Sequence, residues 1–543
     1  MVTAFAALVQ SASAEDKDLK INYVNPLVGT AGYGNVYPGS QIPFGGIQIS
    51  PDTDRDFYDA AAGYKYDHGT LLGFSLNHLS GTGIPDLGDF LFMPGTGEIH
   101  LDPGTHEDPD AGYRSRYSHD EEWCSPNYYA VNLLDYGVKA EMTSSLHSGI
   151  LRFTYPEAED SFILLDLDHT LWWNCAWSNI RIEDEHTLTG YKLVKGWGPE
   201  RHIYFTAEFS KPIEDFGIMQ DGGLVHYNTK RFRSSREAWG KGIKFWLKFP
   251  TSENEQVTVK VAISSVDADG ARGNLREIAG LDFEQVRLAG ERKWEKELSR
   301  FNVEGTPEQK ETFYTSVYRC FLCPFVFQDA DGRFRRLDKS IGRAEGFTNY
   351  TTFSLWDTYR AAMPLMTVIH PEKIRDIART MVKIHEEQGK LPVWHLWGNE
   401  TDCMVGNPGV IALADILVKD FEGFDKEQAY NALRESEMRP DRGQDIRMEC
   451  GFIPADRDFN ESVAYDMEYA IADGAMAAAA RRLGKEEDYA YFNERSHSYR
   501  NYFDPETLFI RGRNSDGTFV EPFNPYSSNH RADVYCEGNA WQY

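Results

Sequence analysis

The chain has 543 residues, 41% of them hydrophobic and 26% charged, which is too long for one core and ordinary for a globular protein, so two or more domains are expected. Its net charge of −28 excludes the basic surface that phosphate backbones require and disfavours anionic lipid, so no nucleic-acid or membrane-surface partner is expected. The 13% aromatic content offers flat rings suited to the C–H faces of sugars, although most rings fill core volume.

Near the N-terminus a short apolar stretch ends in Ala12-Ser13-Ala14 before Glu15-Asp16. It resembles the back half of a secretory signal without its basic start, so residues 1–20 are read as a signal remnant and the protein as secreted, periplasmic or cell-surface. No later apolar run is long enough to span a membrane. Residues 21–275 alternate turn signals, such as Gly32, Gly34, Pro51-Asp52 and Pro94-Gly95, with short strand-like runs. Val257, Val259, Val261 and Ile263 alternate with Thr258, Lys260, Ala262 and Ser264, which marks a strand with one buried face. The run SFILLDLD (161–168) is apolar at successive positions, as in a strand covered on both faces. Many short strands separated by turns predict an extensive N-terminal β-sandwich, a supersandwich.

The period changes near Asp282. Phe283, Val286, Trp294, Leu298 and Phe301 share one helical side, giving a helical linker over 276–304. Helices dominate 305–543. In the clearest, Pro371 opens the first turn, Gly389 closes the last, and Ile374, Ile377, Met381 and Ile384 form the apolar stripe. Further helices are legible at about 306–323, 355–369, 408–420, 426–437, 461–483 and 486–503, roughly seven in all by their period. The fold class read from this pattern is multidomain β + α, a β-sandwich followed by an (α/α)6 toroid. The ring needs six helix pairs, so it is expected to be incomplete in this chain.

The seven cysteines form an odd set without scaffold density, and Cys320-Phe-Leu-Cys323 has neither a second pair for zinc nor a redox context; buried thiols are expected. Ser354-Leu355-Trp356-Asp357-Thr358-Tyr359-Arg360 opens a helix. Asp357 and Thr358 suit a cap there, while Trp356, Asp357 and Arg360 also supply a stacking face, an acceptor and a forked donor. In LPVWHLWGNETDCMVGNPG (391–409), Trp397, Asn399 and Glu400 sit in a turn rich in hydrogen-bonding groups. His395 lacks a partner at ligand spacing and reads as structural. The loop FSLNHLSGTGIPDLGDF (74–90) gathers His78, Ser80, Gly81, Thr82, Gly83, Asp86 and Asp89. No βαβ unit surrounds it, so a dinucleotide reading is poor, and a close backbone approach to a ligand is the better one. Asp329–Asp338 starts like a calcium loop but lacks its later positions and reads as a turn. The closing YCEGNAWQY places Glu537 before Gly538, Asn539 and Trp541. Carboxylates, tryptophans and amides without a nucleophile motif point to glycoside chemistry.

Val24–Thr53, HLSGTG (78–83), SLWDTYRAAMPL (354–365), the 391–409 segment and EGNAWQY (537–543) occur in this order. Together they resemble glycoside hydrolase family 92, calcium-dependent exo-acting α-mannosidases of bacteria. The resemblance implies release of terminal α-mannose from mannose-containing glycans by an inverting single displacement, with Ca²⁺ as cofactor. It makes Glu537 the general acid. His78, Ser80, Gly81, Thr82, Gly83, Trp356, Asp357, Arg360, Trp397, Asn399, Glu400, Asn539 and Trp541 become substrate-binding, and 305–543 part of the catalytic domain. It also implies a chain cut short, with the general base and the metal ligands outside these residues. Two alternatives stay open: another sandwich-plus-(α/α)6 glycosidase or phosphorylase, and a glycan-binding protein without catalysis. Linkage preference and oligomeric state are not legible.

Overall fold

The computed structural model describes residues 19–56, 58–221, 223–227, 236–528 and 533–543; the Ala12–Asp16 signal reading lies outside them. The chain divides into two compact units. Unit 1 runs to Phe325 and includes Asp329–Asp331, and unit 2 comprises Val326–Gln328 and Gly332–Tyr543.

Unit 1 is a sandwich of two antiparallel sheets. The first has seven strands in the order Ser50–Asp52, Gly73–Ser75, Leu91–Thr96, Ala158–Asp166, Lys244–Thr251, Asp215–Gln220, Gly223–Tyr227. The second has nine: Glu237–Gly240, Asn174–Ile182, Thr187–Lys195, Arg201–Phe209, Glu255–Ser264, Ser148–Tyr155, Val138–Ser144, Tyr128–Leu133, Glu122–Ser125. The successive apolar residues Phe162–Leu165 occupy a central strand of the first sheet and are fully buried, as a strand covered on both faces requires. Aromatic pairs join the sheets: Phe74 lies 6.5 Å from Phe153 and Phe245 6.4 Å from Phe209.

Three helices complete this unit: α1 (Ala268–Leu275), α2 (Phe283–Leu298) and α3 (Pro307–Cys320). Capping boxes start α2 at Asp282 with Gln285 and α3 at Thr306 with Gln309, each satisfying amide donors that a helix start leaves orphaned. The apolar side of α2 buries Phe283, Val286, Trp294 and Leu298. The Trp294 indole donates to the Gln41 carbonyl at 2.6 Å.

Unit 2 is helical: α4 (Leu355–Thr358), α5 (Ala362–Ile369), α6 (Pro371–Gln388), α7 (Pro408–Val418), α8 (Lys426–Glu437), α9 (Gln444–Cys450), α10 (Ser462–Arg482) and α11 (Glu486–Arg495). Ile374, Ile377, Met381 and Ile384 are all buried, and Gly389 closes α6 at φ +74°. Alanines 470, 472, 477, 479 and 480 are buried along α10, where it packs against α7, α8 and α11.

Four sequence expectations are corrected. The helix expected over 355–369 breaks into α4 and α5, because Pro364 has no N–H for the Arg360 carbonyl and the chain restarts so that Pro364 falls in a first turn. The helix expected over 486–503 ends at Arg495, followed by a 3₁₀ turn at Ser498–Asn501. Helix α9 was not expected: only seven residues lie between Gly443 and Gly451, both at positive φ, too few to show a period. Finally, only Cys175 and Cys536 are buried as whole residues; the other five are half-buried, although burial still pushes the Cys323 thiol up to about 12, and all seven are free.

Candidate active site

The first two motifs of unit 2 are joined by backbone. Phe353–Ser354 pairs antiparallel with Trp394–His395, Phe353 opposite His395. The Trp397 amide donates to Thr351 Oγ1 at 2.8 Å. Beyond the pairing, Glu400 draws its loop shut: its carboxylate accepts the amides of Val393, Trp394 and Asp402 at 3.0, 2.8 and 3.0 Å. Burial nevertheless raises the pKa of Glu400. Lys339 donates to the Gly398 carbonyl and to Asn399 Oδ1 at 2.8 and 2.7 Å. Trp397 and Asn399 are each only 4% exposed, and both are tied, like Glu400, into the hydrogen bonding of this loop. His395 is buried against Thr351, and burial followed by the Lys339 charge lowers its pKa to about 3, so the ring is neutral.

The SLWDTYR segment is open by contrast. Asp357 is exposed and accepts from the Ser354 hydroxyl at 2.5 Å. Arg360 stacks its guanidinium over the Trp356 and Tyr359 rings at 4.8 and 4.7 Å and donates to the Trp356 carbonyl at 3.1 Å. The indole Nε1 of Trp356 is buried and has no hydrogen-bond partner among the described residues.

The closing segment meets this one through packing. Cys536, Val405 and Ala464 form a small core against which Trp356, Met404 and Tyr465 pack. The Val463 and Ala464 amides donate to the Val534 carbonyl at 3.0 and 3.2 Å, pinning the segment to the start of α10. Burial, with the Glu461 and Glu537 carboxylates close by, pushes the Cys536 thiol up. Glu537, next in the chain, is exposed. Asn539 and Gln542 exchange hydrogen bonds across the last turn. Trp541 is 64% exposed and stands beside a cavity of about 470 Å³ with Phe503, Leu508 and Phe509. Trp356, Asp357 and Arg360 therefore share one segment, Trp356 packs it against Cys536, the residue that precedes Glu537, and Asn539 and Trp541 serve the adjoining turn and cavity.

Sequence reasoning missed several participants. Arg442 donates to the carbonyls of Asp402, Met404 and Gly406 at 2.7, 2.6 and 3.2 Å, and stacks on Tyr465, stapling the loop that carries Met404 and Val405. Glu468 of α10 accepts from Tyr359 and Arg360. Neither shows a signal in sequence, since each is one more charge in a polar stretch. Thr352, Trp397, Asp402, Met404, Glu461 and Glu537 all hold positive φ, between +47° and +73°. Left-handed backbone costs a non-glycine residue about 1 kcal/mol or more, and such residues cluster at functional sites.

In unit 1, His78 is wholly buried. Its Nε2 meets Asp52 Oδ1 at 2.8 Å and its Nδ1 the Gln48 carbonyl at 2.9 Å, and the second Asp52 oxygen takes His169 at 2.8 Å. The loop that follows surfaces: Gly81 and Gly83 are exposed and Ser80 and Thr82 partly so. Asp86 and Asp89 are the buried counter-ions of Arg201 and Lys192. Burial alone would raise Asp89; the two cations hold it at about 2.

Among the described residues, the one set of three His, Cys, Asp or Glu ligand atoms close enough to share an ion is Asp54, His68 and His106 in unit 1. Arg114 Nη1 stands 3.0 Å from His106 Nδ1. Two imidazoles beside a guanidinium do not fit calcium, which takes roughly six to eight oxygens.

Two family models match the chain: the glycosyl hydrolase family 92 N-terminal domain over residues 23–264 and the catalytic domain over 270–543. Among solved structures, the family 92 α-mannosidase of Bacteroides thetaiotaomicron is 56% identical at a TM-score of 0.94, covering 97% of this chain and 71% of that one. It has also been solved with mannoimidazole. A family 92 inverting mannosidase of the same species is 26% identical at a TM-score of 0.85, covering 96% and 70%. An uncharacterized secreted glycosidase of Arthroderma benhamiae is 27% identical over 95% of this chain, which spans 66% of that relative's length.

Proposed function

Because the chain belongs to glycosyl hydrolase family 92, we propose that it is an exo-acting glycoside hydrolase releasing terminal α-linked mannose from glycans by inversion in a single displacement. The observation that carries this reading is 56% identity over 97% of the chain to an α-mannosidase. Glu537, exposed, in left-handed backbone and next in the chain to the Cys536 that packs against Trp356, supports it. In this reading Glu537 protonates the departing glycosidic oxygen. A second carboxylate, roughly 6.5–9.5 Å away, activates water on the opposite face of the ring; no residue of this chain is assigned that role. Trp356, Asp357 and Arg360 bind the sugar. The binding roles of His78, the Ser80–Gly83 loop, Trp397, Asn399, Glu400, Asn539 and Trp541 rest on the family resemblance.

Calcium dependence belongs to the same proposal on the resemblance alone. Among the described residues no three carboxylates lie close enough together to share an ion, and no step is routed through it. Secretion to the periplasm or cell surface is part of the reading, supported by the secreted relative.

The test is hydrolysis of 4-nitrophenyl α-mannoside and of α-linked mannobioses by the protein expressed from its own gene, with and without chelation of calcium. Proton NMR identifies the first anomer released. β-Mannose as first product, loss of rate on chelation and, on the mannobioses, a large loss in Glu537→Gln are expected. Glucose release, or dependence on inorganic phosphate, would overturn the reading.

A further inference from the structure

The open face of the site rests on a residue from elsewhere in the helical unit. Glu468, in the first half of α10, is 13% exposed in its side chain and reaches the α4 region with both oxygens. Oε2 accepts the Tyr359 hydroxyl at 2.8 Å and Oε1 accepts Arg360 Nη2 at 2.6 Å. Arg360, thus tethered, lies across the Trp356 indole at 4.8 Å. Trp356 also packs against the core of Val405, Ala464 and Cys536. Its Nε1–H is buried and has no partner among the described residues. Gly406, at φ +77°, leaves the room: a Cβ there would stand 2.4 Å from the Glu468 Cβ.

We propose that Glu468 is a positioning residue: its carboxylate holds Arg360 across the Trp356 indole and so fixes the exposed guanidinium, and the ring beneath it, for a bound sugar. This rests on the glycosidase reading above and adds a residue to it. Arg360 and Trp356 would face bound sugar in the ground state and the transition state alike, so loosening them raises KM more than it lowers kcat.

The test compares Glu468→Ala and Glu468→Gln with the parent protein on 4-nitrophenyl α-mannoside, and records tryptophan emission with and without Trp356→Phe. Glutamine keeps an oxygen for Arg360 and presents its amide to the Tyr359 oxygen. It is expected to stay within about threefold of the parent in kcat/KM, whereas alanine falls about tenfold to a hundredfold, chiefly through KM. Glu468→Ala should also change the emission, and that change should vanish in the Trp356→Phe background. An alanine variant with unchanged KM, or an emission change that persists without Trp356, overturns the proposal. Should the parent hydrolyse no α-mannoside while the Trp356-dependent change appears, the clamp stands and the glycosidase reading fails.

Discussion

Replacing Glu437 by glutamine tests how the core of the helical unit carries its charge. Glu437, Asp466 and Asp473 are all fully buried and face the guanidiniums of Arg447 and Arg495. Arg447 lies 2.7 Å from both Asp466 and Asp473 and 3.9 Å from Glu437, while Arg495 lies 3.3 Å from Asp473 and 3.7 Å from Glu437. Three acids against two cations leave one negative charge too many. Asp466 is the best satisfied, taking in addition the Tyr502 and Ser498 hydroxyls and the Ile453 amide. The excess falls on Glu437 and Asp473, and burial pushes both carboxyls up. Burial, then the Asp473 charge, raises Glu437 to about 8. Between an unfolded carboxyl near 4.3 and that value the native state holds a proton that the unfolded chain has released, so stability falls as pH rises across the window. At about 1.4 kcal/mol per pH unit over the roughly 2.5 units between pH 5.5 and 8, the loss from pH 5.5 to pH 9 is on the order of 3 kcal/mol. Glu437→Gln keeps the shape and removes the titration. It should be near neutral at pH 5.5 and stabilise the unit by about that amount at pH 9. Hydrogen–deuterium exchange of the α8 and α10 amides, variant against parent at each pH, reads the difference within the unit itself. An offset between the two proteins that is the same at both pH values would refute the retained proton.

Asp52→Asn leaves His78 and His169 without their common carboxylate in a fully buried site, and should cost unit 1 about 3–5 kcal/mol by calorimetry at neutral pH. The histidine partners hold Asp52 well below the usual carboxylate range although burial alone would raise it, so the contribution is complete above that range and is lost only as pH falls through and below it. Gly406→Ala combines left-handed backbone with a collision at Glu468; kcat/KM and thermal stability should both drop, by about 1–3 kcal/mol for the latter. Trp294→Ala removes a wholly buried ring and its donor to Gln41, and a loss of about 3–5 kcal/mol should appear in urea unfolding. Glu537→Gln should lower kcat/KM by about 10²–10⁴ on mannobioses and much less on an aryl mannoside, whose leaving group needs little protonation.

The sequence by itself carried whatever depends on local pattern. The alternation at 257–264 marked its strand, and the five apolar positions of 283–301 marked a helix, of which Phe283, Val286, Trp294 and Leu298 are buried within α2. Proline at the start and glycine at the end bounded α6, because steric limits on φ act within a residue or two. The ordered motifs carried the family. Left to tertiary structure were the uses of side chains whose partners are remote in sequence. Trp397, Asn399 and Glu400 were expected in a sugar pocket, and the fold adds hydrogen bonds within their loop and to Lys339, Thr351 and Gln388 that spacing does not show. Asp86 and Asp89, crowded into a glycine-rich loop, neutralise Arg201 and Lys192 more than a hundred residues away. Glu468 reads as one exposed acid of a helix until Tyr359 and Arg360, 109 and 108 residues earlier, close on it. A charge shows its type in the sequence, but the energy of burying it depends on which opposite charge the fold brings within hydrogen-bond reach, and one-dimensional spacing does not encode that distance.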